Sequence, residues 1–349
     1  MSEKEYPAHA DQLPGVPPPE MQQKLFGHSD GQRQLLEAYQ GGKLHHAWLI
    51  AGQKGIGKAT FAFDIARKLF SLSGNETEQR VAEMVATGGH PNLKVIRRAF
   101  NHKTGKYAAN TGVDVVRDAM RFFQTSAATK GLRICIVDSI DDLNANAANA
   151  LLKTLEEPPA NALFLLICNQ LGKTLPTIRS RCRLLRLGVL MDQDVSAVVG
   201  QIAGPDAQAQ LPSILEIARG RPRKALEAVM ASSDPTLQAL GNWLAQPNLS
   251  NDAQLMQLGA SIAQSKDEAI WPMALEMLEN AIAWRIKHLA LTDKNNPALA
   301  KAMSVWEKTG EQLRDQAVYN LDKKQTIIMI LDAICELDRV APINFEPST

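Results

Sequence analysis

The stretch Gly52-Gln53-Lys54-Gly55-Ile56-Gly57-Lys58 constrains the fold of this chain more than any other part of it. It lies between an apolar run, Ala47–Ala51, that reads as a buried strand, and a segment from Ala59 to Phe70 whose spacing predicts a helix. Glycines let such a loop wrap closely around phosphate groups. The start of the following helix offers free N–H groups and the positive end of its dipole, and Lys58 adds a point charge for the β and γ phosphates. Gly52, Gly55, Gly57 and Lys58 are therefore candidates for binding ATP or ADP. The general pattern requires Ser or Thr directly after the lysine, because that hydroxyl ligates Mg²⁺. Ala59 stands there instead, and Thr60 lies one residue further, about 100° around the helix. A glycine-rich turn that holds no nucleotide is the competing reading.

A second nucleotide motif, an apolar strand ending in an acid, is supplied by Arg133-Ile134-Cys135-Ile136-Val137-Asp138. Asp138 is placed to orient Mg²⁺ through water. A hydrolytic protein would put a carboxylate next, to position and polarise the attacking water; Ser139 cannot do that at neutral pH. Asp141 and Asp142 follow closely, as helix caps or as compensating acids. Ala59 and Ser139 thus depart from the hydrolytic pattern at two chemically separate points.

Further short apolar runs at Leu93–Ile96 and Leu163–Cys168 alternate with helix-compatible segments, which is the pattern of a parallel sheet covered by helices over residues 21–187. From Gly188 the strand signal fades. Residues 192–202, 211–218 and 222–231 read as short helices separated by Gly204-Pro205 and Gly220-Arg221-Pro222. Helical spacing then dominates 236–246, 251–265, 271–292, 297–308 and 311–337, where Trp243, Trp271, Trp284 and Trp306 are concentrated. Four such large side chains suit a packed helical domain or a subunit interface. Residues 1–20, with Pro14, Pro17, Pro18 and Pro19, read as a flexible leader.

A length of 349 residues and an apolar fraction of 45% allow two or three folded domains. Lys plus Arg is 38 against 37 for Asp plus Glu, so net charge does not point to nucleic acid or to a membrane surface. Cys135, Cys168, Cys182 and Cys335 lie far apart, read as reduced and mostly buried, and include no pair with zinc-knuckle spacing. No secretory or membrane segment is visible at the start, and a cytoplasmic protein is expected.

The stretch Asp141-Asp142-Leu143-Asn144-Ala145-Asn146-Ala147-Ala148-Asn149-Ala150-Leu151-Leu152-Lys153-Thr154-Leu155-Glu156-Glu157-Pro158-Pro159, followed by Leu175-Pro176-Thr177-Ile178-Arg179-Ser180-Arg181-Cys182, resembles the delta-prime family of bacterial clamp-loader subunits, which are AAA+ proteins. Leu25-Phe26-Gly27-His28 and Leu44-His45-His46-Ala47-Trp48 extend the likeness, so that it covers most of residues 24–187 and, more weakly, the helical remainder. It implies an α/β plus all-α chain: a RecA-like AAA+ domain over 21–187, a small helical lid over 188–232 and a C-terminal helical oligomerisation collar over 233–349. It also implies assembly with the delta and gamma or tau subunits of DNA polymerase III, in a machine that places a ring-shaped sliding clamp on primer-template DNA.

By the same resemblance, Asn169 corresponds to the polar sensor at a strand end, and Arg223 in Gly220-Arg221-Pro222-Arg223 to the second sensor arginine. Arg181 in Ser180-Arg181-Cys182 corresponds to an arginine finger that completes a neighbour's ATP site, with a general basic edge formed by Arg179, Arg183 and Arg186 as the alternative. Many members carry a four-cysteine zinc module after the first helix. Residues 71–93 contain no cysteine, so zinc is not expected.

Lys94, Arg97, Arg98, Lys103 and Lys106 form a run without acids, suited to backbone phosphates of DNA or to a solvated loop. The rival functional classes are a competent AAA+ ATPase of the gamma or tau kind or a remodeller, which steady-state turnover of the isolated chain would reveal, and a nucleotide-independent scaffold, which would not co-purify with loader subunits.

Overall fold

The computed structural model describes residues 9–13, 15–74, 76–101, 106–124, 131–204, 207, 211–247, 251–265, 270–292 and 297–340. By internal contacts the chain divides into two compact units. One comprises Met1–Gln208 with Ile217–Ala225, the other Ala209–Glu216 with Leu226–Thr349.

The first unit is built on α1 (Ser29–Gln40), β1 (Ala47–Ala51), α2 (Lys58–Ser73), α3 (Glu78–Ala86), β2 (Leu93–Ile96), β3 (Phe100–Asn101), β4 (Lys106–Tyr107) and α4 (Val113–Gln124). It continues through β5 (Arg133–Val137), α5 (Ala145–Glu156), β6 (Ala162–Cys168), α6 (Pro176–Arg179), β7 (Arg183–Arg186) and α7 (Asp192–Ala203). Five strands form one parallel sheet in the order β2-β5-β6-β1-β7, and β3 and β4 form a separate antiparallel pair. A parallel sheet with helical crossovers hides both faces, and every residue of β1 and β6 is accordingly buried. Ala47, Leu49 and Ala51 share a core with Phe164, Leu166, Val116 and Phe123 of α4, and Leu151 and Leu155 of α5. Their alternate neighbours Trp48 and Ile50 point to the opposite face and are buried as well. This is the α/β core of a RecA-like AAA+ fold, as the sequence predicts.

Strand β7 was not expected. Arg183-Leu184-Leu185-Arg186 lacks a continuous apolar run because it lies at the sheet edge, with only Leu185 buried. It pairs with β1 alone, Trp48 standing opposite Arg183, whose guanidinium lies 4.9 Å from the indole ring.

The leader also departs from expectation. From His9 onward it is tied to the first unit, and Leu13 is buried. Pro19–Met21 form a 3₁₀ turn packed on α2 and α3, and Arg67 of α2 donates to the carbonyl oxygens of Glu20 and Gln22 at 3.3 and 2.7 Å. Prolines that deny a helix do not deny side-chain anchoring. Residues 1–8 and Pro14 lie outside the described residues.

Helices α8 (Leu211–Ala218) and α9 (Pro222–Ser233) span the boundary between the two units. The second unit continues with α10 (Pro235–Ala245), α11 (Asp252–Ala263), α12 (Ile270–Thr292), α13 (Pro297–Tyr319) and α14 (Lys323–Val340). The expected break near 309–310 is absent: Gly310 is carried inside α13. The chain turns instead at Asn320, with φ 53°, and Asp322 accepts from the N–H of Gln325 at 2.8 Å to start α14. Leu240, Leu258, Ile262, Ile282 and Ile330 centre this helical core, with Trp243 and Trp271 partly buried against it. Trp284 stacks on His288, and Trp306 is exposed. Arg285 and Asp338 form a buried ion pair at 3.1 Å. No helix among the described residues is long and apolar enough to cross a membrane.

Candidate functional site

The parallel ladders deliver the glycine loop to one end of the sheet. Past the end of β1, the N–H of Gly52 donates to Cys168 O of β6 at 3.2 Å, and the N–H of Leu187 donates to Ala51 O at 2.9 Å. Gly52 is sterically required there, since a Cβ would stand 2.6 Å from Leu187 O. Gly55 has φ 87°, and a Cβ on it would lie 2.9 Å from Cβ of Arg223. Gly57, also at positive φ, leads into α2, whose first N–H groups at Lys58, Ala59 and Thr60 have no partner within the helix. The cradle thus has the backbone shape and free donors that suit phosphate groups. It lacks the side chain that would ligate Mg²⁺ after Lys58, since Ala59 has no oxygen and Thr60 lies half-buried one position further.

Lys58 is buried and donates from Nζ to Gly52 O at 2.8 Å and to Gln53 O at 2.6 Å. Burial lowers its pKa to about 8, against the opposing pull of Asp141, Cys168 and Asp138. His28 braces the loop from behind, donating Nε2–H to Ile56 O at 2.7 Å. Its burial also lowers its pKa, which favours the neutral ring.

Arg223, the expected second sensor, is brought to this loop: its backbone N–H donates to Gly55 O at 3.2 Å, and its Nη1 donates to the carbonyl of Asp11. Asp138 is held by Arg97, whose Nε donates to Oδ2 at 3.2 Å. The same guanidinium grips both oxygens of Glu20 at 2.9 and 3.0 Å. Burial would push Glu20 up, but hydrogen bonds from His9 and Arg97 and their charges bring its pKa down to about 2. Burial raises the pKa of Asp138, which Arg97 opposes and the carboxylates of Asp11 and Glu20 reinforce. Lys54 of the loop and Arg98 both pair with Asp11, at 3.1 and 2.8 Å.

Sequence reasoning missed this network. It reads Arg97 and Arg98 as part of a basic run facing DNA or solvent, whereas both are directed at carboxylates of the chain itself. Lys103 lies outside the described residues. No local pattern joins residues 77 to 87 positions apart.

Ser139 is buried and donates from Oγ and N–H to Asp142 Oδ2 at 3.2 and 3.4 Å, capping a short 3₁₀ turn. Asp141 accepts from the N–H groups of Asn169 and Gln170 at 2.6 and 3.0 Å, fixing the expected polar sensor through its backbone. Arg181 belongs to a different cluster, at the junction of α5 and α6. Its Nη2 pairs with Glu156 at 2.7 Å, and its Nη1 donates to Thr177 O at 3.0 Å and to Ser180 Oγ at 3.2 Å. About a third of its side chain remains accessible. Among the described residues no group of three or more His, Cys, Asp or Glu is arranged to hold a metal ion. All four cysteines are free thiols, and burial pushes Cys135 and Cys182 up to about 12.

A parallel sheet with a glycine loop after its β1 strand, an acid after β5 and an arginine at the start of α9 has the architecture of a RecA-like AAA+ module. Residues 27–190 match the family described as DNA polymerase III, delta subunit. The chain is 32% identical over 207 residues to DNA polymerase III subunit delta' of Pseudomonas aeruginosa, covering 58% of this chain and 57% of that protein. It is 28% identical over 278 residues to DNA polymerase III subunit tau of Escherichia coli, covering 75% of this chain and 41% of that protein. A solved gamma-subunit-related protein of Thermotoga maritima aligns at TM-score 0.44 and 17% identity, over 88% of this chain and 100% of that one. The chain spans about half the length of the curated relatives it matches. Over residues 27–190 the chain is thus similar to clamp-loader subunits of bacterial DNA polymerase III.

Proposed function

We propose that this protein is the delta-prime-type subunit of a DNA polymerase III clamp loader, working in DNA replication without efficient ATP hydrolysis of its own. One observation carries the reading: the phosphate cradle is intact while each hydrolytic group is missing or engaged elsewhere. Ala59 has no hydroxyl for Mg²⁺, Ser139 caps a turn through Asp142, and Asp138 is gripped by Arg97. Gly52, Gly55, Gly57, Lys58, Thr60 and Arg223 would hold the phosphates of ATP or ADP, and a bound Mg²⁺ would neutralise their charge.

The chemistry this chain contributes is in trans. Arg181 is permanently charged and presents a fixed fork of donors, suited to charge developing on a phosphoryl group in a neighbouring subunit. Glu156 and Thr177 hold it in readiness at an accessible edge. The partners are the delta and gamma or tau subunits in the cytoplasm, with primer-template DNA and the sliding clamp engaged through the assembly. Residues 188–232 serve as a lid and 233–349 as the oligomerisation collar.

The test is reconstitution with delta and gamma or tau subunits, assembly being confirmed by gel filtration. The isolated chain turns over ATP far below about 1 s⁻¹. Arg181→Ala and Arg181→Lys complexes assemble, but DNA-stimulated hydrolysis and clamp loading fall, because lysine keeps the charge and loses the fork. Trans-acting arginines contribute factors of about 10³–10⁵ in related chemistry, and one site among several yields a smaller net loss. Full hydrolysis by an intact Arg181→Ala complex removes Arg181 from this role.

A further inference from the structure

Three cations from three separate elements converge on one residue of the leader. Lys54 projects from the glycine loop and reaches Asp11 Oδ2 at 3.1 Å. Arg98, following β2, donates to Asp11 Oδ1 at 2.8 Å. Arg223, pinned to the loop by its own N–H on Gly55 O, donates to the Asp11 carbonyl. Asp11 therefore engages cations in and against the phosphate cradle. Behind it the leader is fastened more firmly: Leu13 is buried, Glu20 is gripped at both oxygens by Arg97, and Arg67 holds the carbonyls of Glu20 and Gln22.

We infer that residues 9–13 and 15–20 form a built-in anionic strap over the phosphate loop, and that a nucleoside di- or triphosphate must displace its Asp11 tip in order to bind. The inference rests on the reading of the loop as a nucleotide site and adds its regulation.

The division of strength along the strap supports displacement rather than permanent closure. Asp11 and Lys54 are each more than half exposed, and ion pairs at such exposure hold weakly. Glu20 and Arg97 are each about 15% exposed, so the base of the strap stays seated while its tip moves. A polyphosphate carries more charge than one carboxylate and offers several acceptors to the same guanidinium and ammonium groups. It can therefore take Lys54, Arg98 and Arg223 from Asp11, but only against competition. A loop with intact shape would then bind nucleotide more weakly than its backbone alone allows.

The test uses the full chain and ADP. Calorimetry measures ADP affinity for wild type, Asp11→Asn and Asp11→Lys, with Asp118→Asn, an exposed acid on α4 paired with Arg121, as the control for a general change in charge. In parallel, hydrogen exchange follows the amides of Gln12 and Val16, which donate to His9 O and Leu13 O in the docked strap. The expected results are about tenfold tighter ADP binding by Asp11→Asn, an unchanged Asp118→Asn, and loss of protection at Gln12 and Val16 when ADP saturates wild type. Equal affinity in wild type and Asp11→Asn overturns the inference, as does undiminished protection in the ADP complex. So does failure of every variant to bind ADP, because some cause other than the strap would then close the site. That last result leaves the clamp-loader reading standing, since Arg181 acts in a neighbour's site. An Arg181→Ala complex with full hydrolysis, beside a tighter-binding Asp11→Asn, would do the reverse.

Discussion

Replacing Glu20 by Gln removes one charge from a largely buried network while preserving size. The carboxylate is held by His9 Nε2 at 2.7 Å and by two Arg97 nitrogens at 2.9 and 3.0 Å. Its fall from an ordinary 4.5 to about 2 corresponds, at about 1.4 kcal/mol per tenfold change in proton affinity, to roughly 3 kcal/mol. That is an upper value, because Gln still offers one acceptor and Arg97 keeps Asp138. Because the folded value lies below the unfolded one, the contribution is complete above about pH 4.5 and is lost as pH falls toward 2. Hydrogen exchange at Met21 and Gln22, whose amides donate to Pro18 O and Pro19 O at 3.0 and 3.3 Å, reads the opening of this segment. At pH 7, Glu20→Gln opens about 10- to 100-fold more often than wild type, after correction for intrinsic exchange. The difference narrows on acidification through pH 4 to 3. Equal protection at pH 7, or a difference that persists unchanged at pH 3, refutes the assignment of Glu20 as the anchor.

Other parts of the molecule give equally direct tests. Lys58 loses its charge above about pH 8, so ADP affinity measured by calorimetry falls between pH 8 and 10 in wild type, while Lys58→Arg stays level across that range. Asp338→Ala removes the countercharge of the Arg285 guanidinium, which is 1% exposed, and costs about 3–5 kcal/mol in urea unfolding; Arg285→Met with Asp338→Leu recovers most of it. Gly52→Ala forces a Cβ against Leu187 O and Ile56, lowering stability by about 1–3 kcal/mol together with nucleotide affinity. Gly112→Ala, with nothing within 4 Å, leaves the thermal midpoint unchanged.

What the sequence made legible divides along physical lines. Buried parallel strands announce themselves as continuous apolar runs, so β1, β2, β5 and β6 were visible, whereas β7 at the edge buries only Leu185 and lacks that signal. In the structure helix α5 begins after Asn144, which accepts from the Ala147 N–H at 2.9 Å, and ends just before Pro158 and Pro159. The end of α13 was misread because Gly310 is a weak breaker inside a packed helix, while the turn at Asn320 depends on a left-handed residue that Asn tolerates. In the candidate site, the cradle was readable from spacing and its engaged state was not. The partners of Arg97 and Arg98 are supplied by a proline-rich segment about 80 residues earlier, and only the folded chain brings them together.

The acids that follow Ser139 show that the weak hydrolysis proposed above rests on more than one missing carboxylate. Read along the sequence, Asp141 or Asp142 stands close enough to take over activation of a water. In the folded chain Asp141 binds the N–H groups of Asn169 and Gln170, tying the exit of β5 to the end of β6. Asp142 binds Ser139 and lies 3.9 Å from Arg98. To act as a base, Asp142 would have to release the buried Ser139, at about 1–3 kcal/mol for each donor left unsatisfied, and Asp141 would have to give up the two N–H groups it holds at the end of β6. The loop after β5 thus functions as a clamp between strands, and Arg97 closes it by holding Asp138 to Glu20. A site arranged in this way keeps its glycine loop as a piece of the fold, and the cations Lys54, Arg97, Arg98 and Arg223 around it are engaged by residues of the chain's own leader.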